Sequence, residues 1–157
     1  MRESVVWTLL LFLAPTAFAQ TVPAGWKLVK DAKSVCQIAI PPEWDSWKDS
    51  SGAAVFKDPS IAIAVVTSQP GQIFKALSDT MVRMLGIPKD KLFENTPKRL
   101  FHQDKTSQVA EDPNAYSASV PAEGGTCSCR IAFVPSIDKE TVKKIVLSLG
   151  PATPTGS

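Results

Sequence analysis

Apolar and polar residues alternate along several short stretches of this chain and follow a helical period in two longer ones. The stretch "SVCQIAI" places Cys36, Ile38 and Ile40 on one face of a strand. "AAVFKD" and "SIAIAVVTS" predict a hairpin that turns at Asp58-Pro59, and the second is apolar on both faces, as in a strand near the centre of a sheet. Four more extended stretches are predicted: "WKLVK", "KRLFHQDKTS", "NAYSASVPA" and "TCSCRIAFVP".

The two stretches with helical spacing are residues 72–85 and 138–149. Gly86 ends the first, and Pro88 opens a further short helical turn after it. Ser136 or Asp138 caps the second, which ends at Gly150-Pro151. The predicted core stripes are Ile73, Leu77, Met81, Met84 and Leu85 in the first helix, and Val142, Ile145, Val146 and Leu149 in the second.

The order of these elements predicts the fold class. A β-rich part is followed by a helix, a second β-rich part and a last helix, and neighbouring strands are joined by short connections. This order favours an α+β fold in which helices cover an antiparallel β-sheet.

The first residues have the features of a secretory signal peptide. Arg2 precedes an apolar run, and the small residues Ala17 and Ala19 predict cleavage between Ala19 and Gln20. The apolar run is shorter than the ~20 residues of a membrane span, and no later stretch approaches that length. The sequence therefore predicts a signal peptide at 1–19, a single domain at 20–150 and a flexible tail at 151–157. We expect a secreted or periplasmic protein that does not span the membrane.

Charge and motifs speak against several function classes. The formal net charge of +2 and the lack of a basic run give no support for nucleic acid binding. The chain has no phosphate-binding glycine motif, and its single histidine cannot build a multi-histidine zinc site. His102 and Asp104 lie two residues apart on one strand face, but no serine stands out as a nucleophile. The sequence thus predicts no enzyme and no cofactor, and a hydrolase using this pair ranks third among the hypotheses.

The three cysteines are expected to face the core. Cys127 and Cys129 alternate with polar residues on their strand, and Cys36 shares a face with two isoleucines. In an oxidising compartment, a disulfide from Cys36 to Cys127 or to Cys129 is expected, and a Cys127–Cys129 bond is the alternative. A further alternative is that all three cysteines stay reduced and buried. One thiol remains in each pairing. It is an inert buried cysteine, an intermolecular partner, or part of a soft-metal site made of all three sulfurs.

The pattern of the chain resembles that of PsbP-like proteins. The resemblance lies in "VCQIAIPPEW", in "AAVFKDPSIAIAVVTS" and the long helix predicted after it, and in the terminal "DKETVKKIVLSL". It implies the α/β/α sandwich shared by the extrinsic photosystem II subunit PsbP and a Ran-binding nuclear import factor. Those relatives bind other proteins, and the family has no common catalytic residue to transfer.

Two tryptophans in the loop "PPEWDSWKDSSG" are the candidate binding residues. Exposed tryptophans are favoured at protein interfaces. The resemblance implies that Trp44 packs against the core, whereas Trp47 is less constrained and is the stronger candidate for contact with a partner.

Together these features favour an exported, non-catalytic binding or assembly module that acts on another secreted or envelope protein. The alternative is a thiol-based metal-binding or redox protein that uses Cys36, Cys127 and Cys129.

Overall fold

The computed structural model describes residues 22–48, 54–57, 62–104 and 114–153. The predicted signal peptide and the turn at Asp58-Pro59 lie outside the described residues. The elements are β1 (Lys27–Lys30), β2 (Cys36–Ile40), β3 (Asp45–Lys48), β4 (Ala54–Lys57), β5 (Ala62–Pro70), α1 (Asp79–Met84), a 3-10 turn (Lys89–Lys91), β6 (Leu92–Asn95), β7 (Leu100–Asp104), β8 (Asn114–Ala122), β9 (Gly125–Phe133), α2 (Lys139–Leu147) and β10 (Gly150–Pro151).

The strands form two antiparallel sheets. The large sheet has the order β3-β4-β5-β9-β8-β7-β6, and the small sheet has the order β1-β2-β10. Strand β5 pairs with β4 on one side and with β9 on the other, which confirms its predicted position inside the sheet. The α+β fold with an antiparallel sheet is therefore confirmed.

The core lies on one face of the large sheet, which we call the inner face. Strand β9 contributes alternate residues to it, from Cys127 to Phe133, and each is at most 2% exposed. Helix α2 and strand β2 cover this face, since α2 contacts β8, β9 and β2, and β2 contacts β5. The residues that β2, β9 and α2 contribute to the buried core cluster are those that the sequence periodicity predicted to face the core, so this prediction is confirmed. The buried cluster also includes Val142, Ile145 and Val146 of α2 and Cys36, Ile38 and Ile40 of β2.

Polar side chains hold both ends of α2. The Asp138 carboxylate accepts hydrogen bonds from the backbone N–H groups of Glu140 (3.2 Å) and Thr141 (3.0 Å), which confirms Asp138 as a predicted cap. At the other end, the buried Ser148 hydroxyl donates to Ile145 O at 2.6 Å and accepts from Ala39 N at 2.7 Å. The Ser148 side chain therefore joins the end of the helix to the middle of β2.

The predicted helix over 72–85 is wrong in length and in the face that it buries. Only residues 79–84 are helical, because tertiary hydrogen bonds take the backbone groups before them. Gln72 O accepts from the Thr126 hydroxyl at 2.5 Å, and the Asn95 side-chain amide bonds both Leu77 N (2.8 Å) and Leu77 O (2.9 Å). Val82 is buried instead of the predicted stripe. Four of the five stripe residues are exposed, namely Ile73, Met81, Met84 and Leu85.

Two strands and the start of the tail also differ from the sequence predictions. The predicted recognition loop contains β3, which pairs with β4, and the edge strand β6 pairs with β7 through an irregular register. The tail was predicted to start at Pro151, but Pro151 is paired with Cys36, and Ala152 N donates to Val35 O at 2.7 Å. The chain is ordered here because β2 offers an edge with which these residues can pair.

Candidate functional site: a cleft between the two sheets

A concave site of about 460 Å³ lies where the small sheet meets one end of the large sheet. Residues that are distant in sequence line it. From the small sheet and the last residues of the chain come Leu28, Gln37, Gly150, Pro151 and Thr153; from the large sheet and its β6–β7 turn come Glu94, Lys98, Arg99, Val120 and Pro121; Val22 and Leu149 complete it. We call this site the inter-sheet cleft.

The Cys36–Cys127 disulfide joins the two sheets beside the inter-sheet cleft. The Cα atoms of the two cysteines are 5.6 Å apart, inside the expected range, and both residues are completely buried. Cys36 directly precedes Gln37 of one wall, and Cys127 is the cross-strand partner of Val120 of the other. Since the bond connects neighbours of both walls, it fixes the distance between them.

The wall formed by the end of the chain is held by hydrogen bonds to the first two strands. Gly150 and Pro151 pair with Gln37 and Cys36. Thr153 accepts from the Lys30 ammonium group at its backbone oxygen (3.0 Å) and from the Gln37 amide at its hydroxyl (3.3 Å). Contacts of residues 150–153 with β1 and β2 therefore fix the position of this wall.

The floor of the inter-sheet cleft is apolar and its rim carries cations. Leu149 and Val120 are at most 5% exposed, while Leu28 is 46% exposed. On the rim, one terminal nitrogen of Arg99 donates to Leu147 O at 3.1 Å, and the other lies 3.6 Å from the Glu94 carboxylate. These two contacts hold the Arg99 guanidinium in place.

Lys98 adds a positive charge beside the paired Arg99. The Lys98 side chain is exposed. Unlike Arg99, it forms no ion pair shorter than 4.0 Å with a described residue. The Arg99 Nε–H is buried, and no described residue accepts a hydrogen bond from it. With Glu94 as its one acidic side chain, the described rim has an excess of positive charge. The cleft thus offers an apolar surface next to a site for a negatively charged group.

The predicted binding tryptophans lie directly before β3 and within it. Trp44 is partly buried against the core, in agreement with the packing role that the resemblance implied. Trp47 belongs to β3, where its backbone pairs with Val55, and its side chain lies outside the described part of the structure. Among the residues whose side chains are described, Trp44 does not line the inter-sheet cleft.

The cysteine alternatives are resolved in favour of one pairing. Cys36 bonds Cys127, and Cys129 is left as a buried thiol. Burial raises the pKa of Cys129 to about 12, so the nucleophilic thiolate is scarce at neutral pH. Within the described ranges, no group of three or more histidine, cysteine or acidic side chains could hold a metal ion. The geometry therefore gives no support for a three-sulfur site.

His102 and Asp104 lie together on the outer face of the large sheet, with two partners that the sequence did not single out. Asp104 Oδ2 accepts hydrogen bonds from the Ser117 hydroxyl and from Arg130 Nε (3.1 Å), while Oδ1 lies 3.4 Å from His102 Nδ1. Ser117 donates to the carboxylate and not to the histidine, so it is not activated as a nucleophile here. The strand register could have identified both partners, because His102 pairs with Ser117 and Ser117 pairs with Arg130.

Comparisons with known proteins bear on the fold and not on the site. No protein-family model matches the chain, and no curated protein sequence matches it. A protein from Bacteroides thetaiotaomicron VPI-5482, whose crystal structure was determined at 1.50 Å resolution, has a similar fold with a TM-score of 0.54 and 11% sequence identity. The alignment covers 84% of this chain and 50% of that protein, so the chain spans about half of its length. The PsbP-like resemblance stays a prediction.

None of the described helices is long and apolar enough to cross a membrane.

Proposed function

We propose that this protein is an exported, non-catalytic binding module that holds a segment of another secreted or envelope protein in its inter-sheet cleft. The cleft itself is the observation that supports the proposal most directly. Its volume of about 460 Å³ is within the range of about 300–1,000 Å³ that is common for binding sites. This volume accommodates a few side chains of a peptide.

The chemistry of the cleft defines the preferred segment. Leu28, Val120 and Leu149 provide apolar contact, and Lys98 provides an exposed positive charge at the rim. An apolar side chain flanked by an acidic residue, or by a terminal carboxylate, satisfies both features. Charge-assisted contacts of this kind favour a correct partner over an incorrect one.

The disulfide supports both the rigidity of the site and export. A cleft that is already formed loses less conformational entropy when it binds a segment than one that must first be ordered. Disulfides persist in secreted and periplasmic proteins and are rare in the reducing cytosol. The Cys36–Cys127 bond is therefore compatible with export, for which we propose that a signal peptide at residues 1–19 is cleaved between Ala19 and Gln20.

Selection from a random peptide library displayed on phage tests the proposal. The oxidised wild type is the bait, and the peptides obtained are then measured against the variants Leu28→Asp and Lys98→Glu by titration. We expect peptides that combine an apolar residue with an acidic group, and a loss of affinity of tenfold or more in each variant. Lys27→Glu is the matched control, because Lys27 neighbours Leu28 on β1 but does not line the cleft. Peptides that bind all four proteins equally would refute the proposed site.

A further inference from the structure

Asp31 is a buried carboxylate that the proposed function does not use. It lies between β1 and β2, and among the described residues it is the charged one that is buried, with 1% of its surface exposed. Its Oδ1 atom accepts hydrogen bonds from the backbone N–H groups of Val35 (2.8 Å) and Cys36 (3.0 Å). Its Oδ2 atom is also buried, and no described residue donates a hydrogen bond to it. Because an unpaired buried charge is costly, this carboxylate calls for an explanation.

No described cation neutralises the Asp31 carboxylate. Lys30 and Lys33 are close to it in sequence, but Lys30 donates to the backbone oxygen of Thr153 at 3.0 Å and Lys33 is exposed. Among the described residues, the ion pairs shorter than 4.0 Å involve other acidic side chains. Within the described structure, the negative charge of Asp31 is therefore balanced by two backbone N–H groups alone.

The Asp31 carboxylate lies beside the Cys36–Cys127 disulfide. Its Oδ1 atom is bonded to the backbone of Cys36 itself, and Cys127 Sγ lies 3.9 Å from the backbone oxygen of Val35. Both cysteines are completely buried, so water screens charges near the sulfur atoms only weakly. An electron-rich oxygen therefore lies near each cysteine of the pair.

Reduction of a disulfide by thiols passes through thiolates. The attacking thiolate forms a bond with one sulfur, the S–S bond breaks, and its electron pair leaves on the other sulfur. A second thiolate then attacks the mixed disulfide, so that two thiols give two electrons to the protein and leave as a disulfide. Attack on Cys127 releases a Cys36 thiolate beside Asp31, and attack on Cys36 brings the anionic reagent there. Both routes place a second negative charge close to the carboxylate, which is unfavourable in a poorly solvated site.

We propose that the Asp31 carboxylate protects the Cys36–Cys127 disulfide from reduction by thiols, independently of the inter-sheet cleft. The two hydrogen bonds at Oδ1 hold the charge next to Cys36. The lack of a described partner at Oδ2 leaves the charge effective, since a carboxylate paired with a cation repels a thiolate less. The bond that joins the two sheets is thereby preserved when the protein meets a thiol.

Reduction of native protein by two thiols of opposite charge tests this inference. The reagents are cysteamine, which carries an ammonium group, and 2-mercaptoethanesulfonate, which has the same chain length and carries a sulfonate. Loss of the disulfide is followed by alkylation and mass spectrometry. Asp31→Asn removes the charge but keeps an oxygen that can accept from Val35 N and Cys36 N. We expect the sulfonate thiol to reduce this variant about tenfold faster than wild type, with a smaller increase for cysteamine.

Two control variants separate the charge of Asp31 from changes in the turn and in global stability. Ser34→Gly alters the same turn without a change of charge; Ser34 has a φ of 57°, which glycine adopts without strain, so this variant should be reduced at the wild-type rate. Gly125→Ala destabilises the contact between β5 and β9, far from Asp31 in the sequence. Any acceleration that it causes arises from unfolding and should be equal for the two thiols.

Two results with Asp31→Asn would overturn the inference. One is reduction at the wild-type rate by both thiols, and the other is an equal acceleration by both, which would assign Asp31 to the stability of the turn alone. A measurement on wild type does not depend on the folding of any variant. The sulfonate thiol should be slower relative to cysteamine with native wild type than with wild type unfolded in urea, and an equal ratio of rates in the two states would also refute the protective role.

Discussion

Removal of the Cys36–Cys127 disulfide should strongly destabilise the protein. The bond links residues 91 positions apart, so it restricts a large part of the unfolded chain. Loop-closure entropy for that separation corresponds to about 4.6 kcal/mol at 25 °C, as an upper value. Since small domains are stable by about 5–15 kcal/mol in total, the double variant Cys36→Ala, Cys127→Ala should remain folded only marginally.

Urea unfolding followed by circular dichroism measures this loss. With an m-value of about 1–3 kcal/mol per molar urea, 4.6 kcal/mol lowers the midpoint by about 1.5–4.6 M. Cys129→Ala is the matched control, because it removes a buried thiol from the same strand and leaves the disulfide intact. It should cost only about 1 kcal/mol, as expected for a small truncation.

Reduction provides the second half of the test. Dithiothreitol should destabilise wild type and Cys129→Ala but leave the double variant unchanged. Thiol titration of denatured, unreduced wild type should find one free thiol per chain. Three free thiols, or a double variant that unfolds within 1 kcal/mol of Cys129→Ala, would refute the reasoning from the disulfide.

Three further predictions concern single residues. Gly125→Ala should destabilise the protein by about 1–3 kcal/mol in urea unfolding, because a Cβ there would lie 2.5 Å from the backbone oxygen of Gln69 on β5. Unchanged stability would contradict the close contact between the two strands. Cys129 should react with iodoacetamide at pH 8 only after denaturation, since burial raises its pKa to about 12; rapid labelling of folded protein by mass spectrometry would refute its burial. Hydrogen bonds from the Thr141 side chain and from the backbone N–H groups of Glu140 and Thr141 lower the pKa of Asp138. The ionised Asp138 carboxylate therefore stabilises the fold at pH values above its unfolded-state pKa. This stabilisation is lost as the pH falls through the folded-state pKa. Asp138→Asn should therefore reduce the fall in thermal stability below about pH 4, and an unchanged pH profile would contradict the capping role.

Much of the sheet and the last helix could be predicted because their apolar residues recur at the spacing that places them against the inner face of the large sheet. In β9 each second residue from Cys127 to Phe133 is buried, and α2 buries a regular stripe, so burial and sequence pattern agree. The α1 region has an equally clear helical pattern, but the Asn95 amide and the Thr126 hydroxyl compete for its backbone groups. An apolar helical pattern determines the structure only where the residues that form it are buried against the core. The sequence of residues 72–78 gives no indication that Asn95 and Thr126 will bond to its backbone.

The candidate site was much less predictable than the fold. Leu28, Lys98 and Val120 are unremarkable in their local sequence, and they become neighbours only when the small sheet docks on the large one. Trp44, one of the two predicted binding residues, packs against the core instead. Cysteine alternation, by contrast, indicated the correct strands for the disulfide, and the strand pairing then selects Cys127, which is opposite Val120 and next to β2.

The pairing of β10 with β2 imposes an order of events on the newly made chain. Strand β2 is complete at Ile40, yet one of its two neighbours is formed by Gly150 and Pro151. During synthesis or passage through a translocation pore from the N-terminus, β2 must remain without this neighbour until almost the whole described chain has emerged. The disulfide imposes the same delay, because Cys36 has to wait for Cys127. Final closure of the small sheet is therefore a late step in folding.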